Sequence, residues 1–320
     1  MFKISGKTNK KGIFYLFLMV TVVILLVTMI SSVSATTYTI STNNSTSSIT
    51  AFLNDADSED PSPLANGDTV IFNKGKYNFD LDVNKAITLK ANGKVIVKNI
   101  VISKKTNVSG FTITENLQAG KSNTITNNTI KGRLYVSGAN NIIKNNKIFE
   151  SSIDGGKNII SSNTFKDHVY IYDNYNKIKG NKVANNYKIH IYGKKNTIKN
   201  NKQSYRDLTL INVGKTSKGH VLAVKNKGTK SSLYSYIKIY NYDKCVYTIK
   251  VPPLKKGKST KIIIPKKIIN KLKYRYYETV YYGGSIVLDE KNKNKDVVLE
   301  NNYLRVGSDK KGYTIYFSMM

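Results

Sequence analysis

Carboxylates and thiols are scarce in this chain of 320 residues. It has 20 Asp and Glu against 51 Lys and Arg, three His, one Cys and no Trp. A single cysteine excludes an internal disulfide, so stability must come from the core and from backbone pairing. The sequence contains no phosphate-binding loop, no catalytic triad and no zinc-ligand spacing. We therefore expect no metal and no cofactor.

Long apolar runs are also rare, and the one long enough to cross a bilayer lies at the start of the chain. Four lysines among the first 11 residues precede an apolar run over 13–30, and Val33-Ser34-Ala35 follows. This order is typical of a secretory signal, so we interpret residues 1–35 as a signal peptide cleaved after Ala35. The alternative is an uncleaved N-terminal membrane anchor. Both interpretations predict that the folded part is extracellular, either secreted or at the cell surface.

One short phrase occurs five times between Asn123 and Gln203. Each copy has an Asn, an Ile two residues later and a second Asn three residues after that Ile, and the copies start 17 to 20 residues apart. This period is too short for a pair of helices and predicts a β-solenoid. Equivalent residues of successive coils would then lie about 4.8 Å apart. The second asparagines should form a hydrogen-bonded ladder, made of Asn128, Asn146, Asn163, Asn181 and Asn201.

A further strand in the later half of each coil carries aromatic residues. The alternation predicts that they point outward, with Leu134, Val169 and Ile189 pointing inward. Aromatic faces can bind sugar rings, although Tyr is also a good residue for any outward strand position. The candidate ligand-binding residues are Tyr135, Tyr170, Tyr172, His190 and Tyr192.

These repeats resemble the right-handed parallel β-helix of the pectate-lyase-like superfamily, in particular the adhesin-like surface proteins of methanogenic archaea. The segments 66–72 and 85–89 are similar to the first coils of that family. The resemblance implies an all-β fold with a right-handed parallel β-helix over residues 66–210. It is informative about the fold and says little about activity.

Residues 36–65 are predicted to cap the open end of the solenoid. Ile49, Phe52 and Leu53 are spaced as one apolar face of a short helix, which would cover unpaired strand edges. The stretch 55–60 reads as an acidic loop without an orderly calcium-ligand spacing.

After Leu210 the period is lost, and short strands separated by turn residues predict an antiparallel sandwich over 211–306, followed by a C-terminal tail over 307–320. The predicted strands are 220–224, 233–240, 246–251, 260–264, 274–282 and 285–288, with a turn at Gly283-Gly284. Turn residues such as Asn226, Gly228 and Gly257, followed by Asp296 and 300–302, resemble the CARDB-type immunoglobulin-like domain of prokaryotic surface proteins. That resemblance implies a spacer or binding module without catalytic residues. Cys245 is predicted to be a small buried side chain in a strand rather than a crosslinking thiol.

Two carboxylates, Glu150 and Asp167, are the best candidates for catalysis. They lie seven residues after Ile143 and Ile160, which predicts that they share a column about 4.8 Å apart. Lyases and hydrolases of this fold need several carboxylates in register. Because so few are available here, we interpret this pair as surface acids neutralised by neighbouring cations.

The net charge of +31 would attract anionic polymers. The basic residues are spread along the sequence, however, and AT-rich codons alone would supply Lys, so we favour a compositional origin. We expect a non-enzymatic, exported, adhesin-like protein that contacts cell-wall or partner-cell glycans, with no nucleic-acid partner. The alternatives are a polysaccharide lyase or hydrolase acting on acidic glycans and a structural component of the envelope.

Overall fold

A computed structural model describes residues 35–53, 62–242, 244–272, 275–277, 280–289, 291–292, 294, 302–309 and 312–317. Three predictions lie outside these ranges: the signal or anchor apart from Ala35, the acidic loop over 55–60, and the signature residues Asp296 and 300–301. Within the described ranges, no helix has both the length and the apolar character needed to cross a membrane.

Eighteen of the described strands form one continuous parallel sheet that winds into a solenoid of about seven turns. They are β1 (Thr37–Ile40), β2 (Thr69–Tyr77), β3 (Leu81–Val83), β4 (Thr88–Val97), β5 (Ile100–Lys104), β6 (Asn107–Ile113), β7 (Leu117–Lys121), β8 (Thr124–Thr126), β9 (Thr129–Val136), β10 (Ile142–Lys144), β11 (Lys147–Ile153), β12 (Ile159–Ser161), β13 (Thr164–Phe165), β14 (Val169–Ile171), β15 (Lys177–Lys179), β16 (Lys182–Val183), β17 (Ile189–Ile191) and β18 (Thr197–Lys199).

Equivalent residues of successive coils pair directly across the sheet. One column of register partners is Ile125, Ile143, Ile160, Ile178 and Ile198. The first four are fully buried, whereas Ile198, in the last coil, is exposed. Stacking therefore buries one apolar column along the axis, and the predicted parallel β-solenoid is confirmed.

The second asparagine of each repeat joins its coil to the neighbouring coils. The backbone N–H of Asn128 donates to Oδ1 of Asn146 at 2.8 Å, and Asn146 donates in the same way to Asn163 at 2.9 Å. Nδ2 of Asn146 donates to the carbonyl of Ile125 at 2.8 Å. The links continue through Asn181 to Asn201. The hydrogen bonds agree with the predicted ladder.

The first asparagine of each repeat forms a second ladder that the sequence analysis did not assign. The backbone N–H groups donate to Oδ1 atoms one coil further on at 2.7 to 2.8 Å, through Asn123, Asn141, Asn158, Asn176 and Asn196. A residue with positive φ directly precedes each ladder asparagine, for example Asn145 at 58° before Asn146. The residue before each ladder asparagine therefore forms the bend. The asparagine side chain hydrogen-bonds the backbone groups that the bend leaves unpaired.

One inward column contains a polar exception. Leu117, Leu134, Ser151, Val169 and Ile189 are successive register partners. The Ser151 hydroxyl is fully buried and has no hydrogen-bond partner among the described residues. Ser151 thus interrupts the apolar column in the second repeat.

The segment before the solenoid contains one predicted element and one that was missed. Helix α1 (Thr46–Leu53) begins after Ser45, whose Oγ accepts the Ser48 backbone N–H at 3.1 Å. Ile49 and Leu53 are buried in the solenoid core, as the apolar spacing predicts. Strand β1 was not predicted, and it pairs in parallel with the start of β2.

The C-terminal part contains two antiparallel sheets that share one buried core. Leu210 and Leu222 of the first sheet and Ile237 and Ile286 of the second belong to the same apolar cluster. The first sheet has the order β19-β20-β23 and the second β22-β21-β25-β26-β27, with β24 beside β25. The elements are β19 (Leu208–Thr216), β20 (Gly219–Asn226), β21 (Ser235–Asn241), β22 (Lys244–Val251), β23 (Ser259–Pro265), α2 (Lys266–Ile269), β24 (Arg275–Tyr277), β25 (Val280–Leu288), β26 (Tyr303–Asp309) and β27 (Gly312–Phe317).

Several predictions for this part are wrong. Residues 208–210 were assigned to the last coil, but they begin β19, which pairs antiparallel with β20; a Leu-x-Leu pattern suits either kind of strand. Gly283-Gly284 lies inside β25 at a register shift, because glycine in a strand can mark a bulge as well as a turn. Much of the predicted tail belongs to a hairpin of β26 and β27. Cys245 is exposed, since its side chain lies on the solvent face of β22.

We expect Asn163→Ala to lower the free energy of unfolding by about 3 kcal/mol, because the Asn146 N–H and the Ile143 carbonyl would lose their buried partner. Urea denaturation monitored by circular dichroism measures the change. The matched control is Asn185→Ala, at an exposed turn position. Equal stability of the two variants would contradict a structural role for the ladder.

Candidate functional site

The outward positions of the third strand segment in each coil form what we term the aromatic side. Register partners place Tyr135, Ser152, Tyr170 and His190 in one column of successive coils. Tyr172 and Tyr192 follow two residues after Tyr170 and His190 and therefore lie on the same side. All five predicted ligand-binding residues belong to the aromatic side.

Four of these residues form a compact array of rings. Tyr170 stacks on His190 with ring centroids 5.0 Å apart, and Tyr172 stacks on Tyr192 at 5.0 Å with planes 6° apart. Along the strand, Tyr170 and Tyr172 are 6.3 Å apart. Tyr172 and Tyr192 are 48% and 60% exposed. The array follows the coil spacing and exposes two of its tyrosine side chains to solvent.

His168 extends the array, and the sequence analysis did not include it among the binding residues. Its Nδ1 lies 2.9 Å from Nε2 of His190 and accepts the Lys188 backbone N–H at 3.3 Å. The ring of Tyr187 contacts His168 edge-on at 5.1 Å. Burial lowers the pKa of His168, which favours the neutral imidazole. His168 directly precedes Val169, whose inward position recurs in successive coils, and this placement could have identified it from the sequence.

Tyr135 is separated from the array by the coil that carries Ser152. It borders an open hollow of about 690 Å³. Gly132 forms part of the lining, where a Cβ would collide with the Glu115 carbonyl. The full lining is Asn116, Gln118, Lys131, Gly132, Arg133, Tyr135, Phe149 and Glu150. A hydrogen bond to Asp154 raises the pKa of the Tyr135 hydroxyl. The hollow thus combines two aromatic rings with amide and charged groups.

The predicted pairing of Glu150 with Asp167 is wrong. Glu150 is the register partner of Arg133 and forms an ion pair with it. The coil of Asp167 has one more residue between Phe165 and Val169 than the preceding coil has between Ile148 and Ser151. The extra residue shifts the column, so His168 rather than Asp167 follows Glu150. Asp167 instead accepts the His168 backbone N–H at 2.6 Å.

No protein-family model matches the chain, and no curated protein matches it. Among solved structures, the chain is similar to one domain assigned to a cell surface protein of Methanosarcina acetivorans, determined by solution NMR. The likeness covers 36% of this chain and 93% of that domain, with 16% sequence identity and a TM-score of 0.26. A TM-score this low carries no conclusion about the fold or function of this chain.

We expect His168 to titrate below the ordinary histidine pKa of about 6.5. The unfolded chain then binds this proton more readily, so stability should fall as the pH drops below about 6.5. A carbon-detected NMR titration measures the pKa, and urea unfolding at about pH 7.5 and 5 measures the stability. Burial also lowers the pKa of His220, so His168→Asn should reduce the pH dependence without removing it. An unchanged pH dependence in this variant would contradict the assignment.

Proposed function

We propose that this chain is an exported, cell-surface, adhesin-like protein whose solenoid supports contact with cell-wall or partner-cell glycans. The observation that carries the proposal is the array of Tyr170, Tyr172, His190 and Tyr192 on one side of the solenoid. Its aromatic surface and hydroxyl groups are suited to the apolar faces and polar rims of sugar rings.

The array is also held in place before any ligand binds. Tyr170 and His190 are register partners on β14 and β17, and both strands are anchored by buried Val169 and Ile189. The stacked rings also restrain one another, so less side-chain freedom is lost on binding, which favours affinity. Because aromatic residues repeat along the solenoid axis, a polymeric glycan could contact several coils at once. The weak contacts would then add up to a stronger interaction.

The proposal includes finer features of the architecture. The solenoid is right-handed, α1 caps its N-terminal end, and the two C-terminal sheets form an immunoglobulin-like module of the CARDB type that acts as a spacer. Residues 1–35 direct export as a signal peptide or remain as a membrane anchor. Strand β1 and the burial of Ile49 and Leu53 at that end of the solenoid support the cap.

We further propose that the protein is not an enzyme. The Glu150 carboxylate is paired with Arg133, and Asp167 is engaged by its own backbone segment. A glycosidase pair needs two carboxyl groups facing one bond, one of which must hold a proton. Arg133 occupies the Glu150 carboxylate, which supports a binding role for this region.

A glycan array tests the binding proposal. We expect saturable signals for a subset of glycans, with a loss of at least about tenfold for Tyr170→Ala, because one removed stacking partner commonly costs more than 1 kcal/mol at a binding hot spot. Tyr234→Ala, an exposed tyrosine before β21, is the matched control and should bind normally. A uniform signal that salt abolishes would overturn the proposal. Absence of any signal would favour a purely structural envelope component.

Incubation with acidic polysaccharides, with and without calcium, tests the absence of catalysis. We expect no new reducing ends and no unsaturated products, because Glu150 is held by Arg133. If product forms, the double variant Glu150→Ala, Asp167→Ala decides whether these residues produce it. Product that disappears in this variant would establish the enzyme alternative.

A further inference from the structure

Coiling gathers lysines that the sequence separates. Six of them flank the turn that carries the second asparagine ladder, and we term this stripe the lysine edge: Lys144, Lys147, Lys179, Lys182, Lys199 and Lys202. On one side of the turn, Lys144 and Lys179 are both register partners of Ser161, and Lys199 follows Lys179. On the other side, Lys147 and Lys182 are both partners of Thr164, and Lys202 bridges to Lys182.

The charges of the solenoid are segregated around its circumference. The stretches that form the first two strand segments and their turns, 121–131, 141–149, 157–166, 175–183 and 194–203, contain lysines and no Asp or Glu. Between residues 121 and 203 the carboxylates are Glu150, Asp154, Asp167 and Asp173, and all four lie outside these stretches. Base composition alone would not sort the charges in this way, so the compositional explanation does not account for the edge.

The lysine edge is exposed, and none of the described carboxylates forms an ion pair with it. All six side chains are exposed. In the part of the chain that the structure describes, the ion pairs involve Lys98, Arg133 and Lys188 and none of these six. Like charges on directly opposed positions destabilise a sheet. Lys179 is directly opposed to Lys199, and Lys182 to Lys202, so an anion bound there would relieve their repulsion.

The fold does not require lysine at these positions. Thr126 and Thr129 occupy the same two columns one coil earlier, and Ser161 and Thr164 occupy them between the lysine pairs. The turn between the columns is fixed by the ladder, in which Nδ2 of Asn146 donates to the Lys144 carbonyl at 3.0 Å. The lysine backbones are thus held at intervals of one and two coils, about 5 and 10 Å.

We propose that the lysine edge binds a linear anionic polysaccharide that lies along the solenoid axis. A polymer with regularly repeated carboxylate or sulfate groups matches two parallel files of cations on either side of a turn. The residues between the files are Asn, Ser and Gly, so no aromatic ring lies between the files to stack on a nucleobase. The narrow stripe follows an edge of the coil, which suits a chain better than a flat lipid surface.

The test compares two variants of equal net charge in the full chain. The edge variant carries Gln at Lys179, Lys182, Lys199 and Lys202, and the control variant carries Gln at the exposed Lys225, Lys227, Lys255 and Lys256 of the C-terminal part. Calorimetric titration with a soluble polyuronate and with chondroitin sulfate, at about 50 and 200 mM salt, measures affinity and its salt dependence. Circular dichroism verifies that both variants fold.

We expect the edge variant to bind at least about tenfold more weakly and to lose most of the salt dependence of binding. The reason is that the polyanion releases fewer counterions when fewer lysines bind it. The control variant should stay within about twofold of the parent chain. Equal losses in both variants would show that net charge alone is responsible and would overturn the proposal. Unchanged affinity of the edge variant would overturn it too.

Two further titrations separate this proposal from its rivals. Vesicles of phosphatidylcholine and phosphatidylserine, and a single-stranded oligonucleotide, should bind more weakly than the polysaccharides at equal charge concentration. Stronger binding of either would reject the polysaccharide. Tyr170→Ala should bind the polyanions like the parent chain, since Tyr170 belongs to the aromatic side. The lysine edge and the aromatic glycan site can therefore fail independently.

Discussion

The hydrogen bond from a backbone N–H to the side-chain oxygen of an asparagine one coil later is the constraint on which the rest of the structure depends. At each bend the chain adopts a positive φ, as at Asn145, and the groups that follow have no strand partner. Asn146 and Asn163 supply partners from their side chains while remaining buried. Without these amides, each bend would leave unpaired polar groups beside the apolar column, which is far more costly than an exposed loop.

Regular stacking gives the solenoid two outward surfaces with different chemistry. Rings at Tyr170 and His190 repeat at the coil spacing on one side, and lysine pairs such as Lys179 and Lys182 repeat on an edge that carries no carboxylate. A polymer that contacts several coils at once gains from effective concentration, so individually weak sites become useful together. The excess of positive charge is then concentrated on one edge of the solenoid rather than spread evenly over the surface.

The sequence was sufficient for features that depend on period alone. The spacing of the repeats predicted the columns of Ile125 and Asn128, because stacking converts a regular interval directly into neighbours. It failed where one residue changes the register, as between Glu150 and Asp167, and where an alternating pattern fits two kinds of sheet, as at 208–210. The lysine edge was missed for a different reason: its members lie far apart along the chain, and only the winding of the coil unites them.

The asparagine ladder also has a polarity. Every bond from a backbone N–H to an Oδ1 atom runs from an earlier coil to a later one, from the Phe111 N–H, which donates to Asn128, through to Asn201, which accepts from Asn181. The two ends of the solenoid are therefore chemically unequal, and another copy of the repeat could extend the series only head to tail. A duplicated coil inserted between Asn146 and Asn163 would find a matching acceptor above and a matching donor below. Lengthening by a whole repeat thus replaces one link of the ladder by two equivalent ones and leaves the other links unchanged.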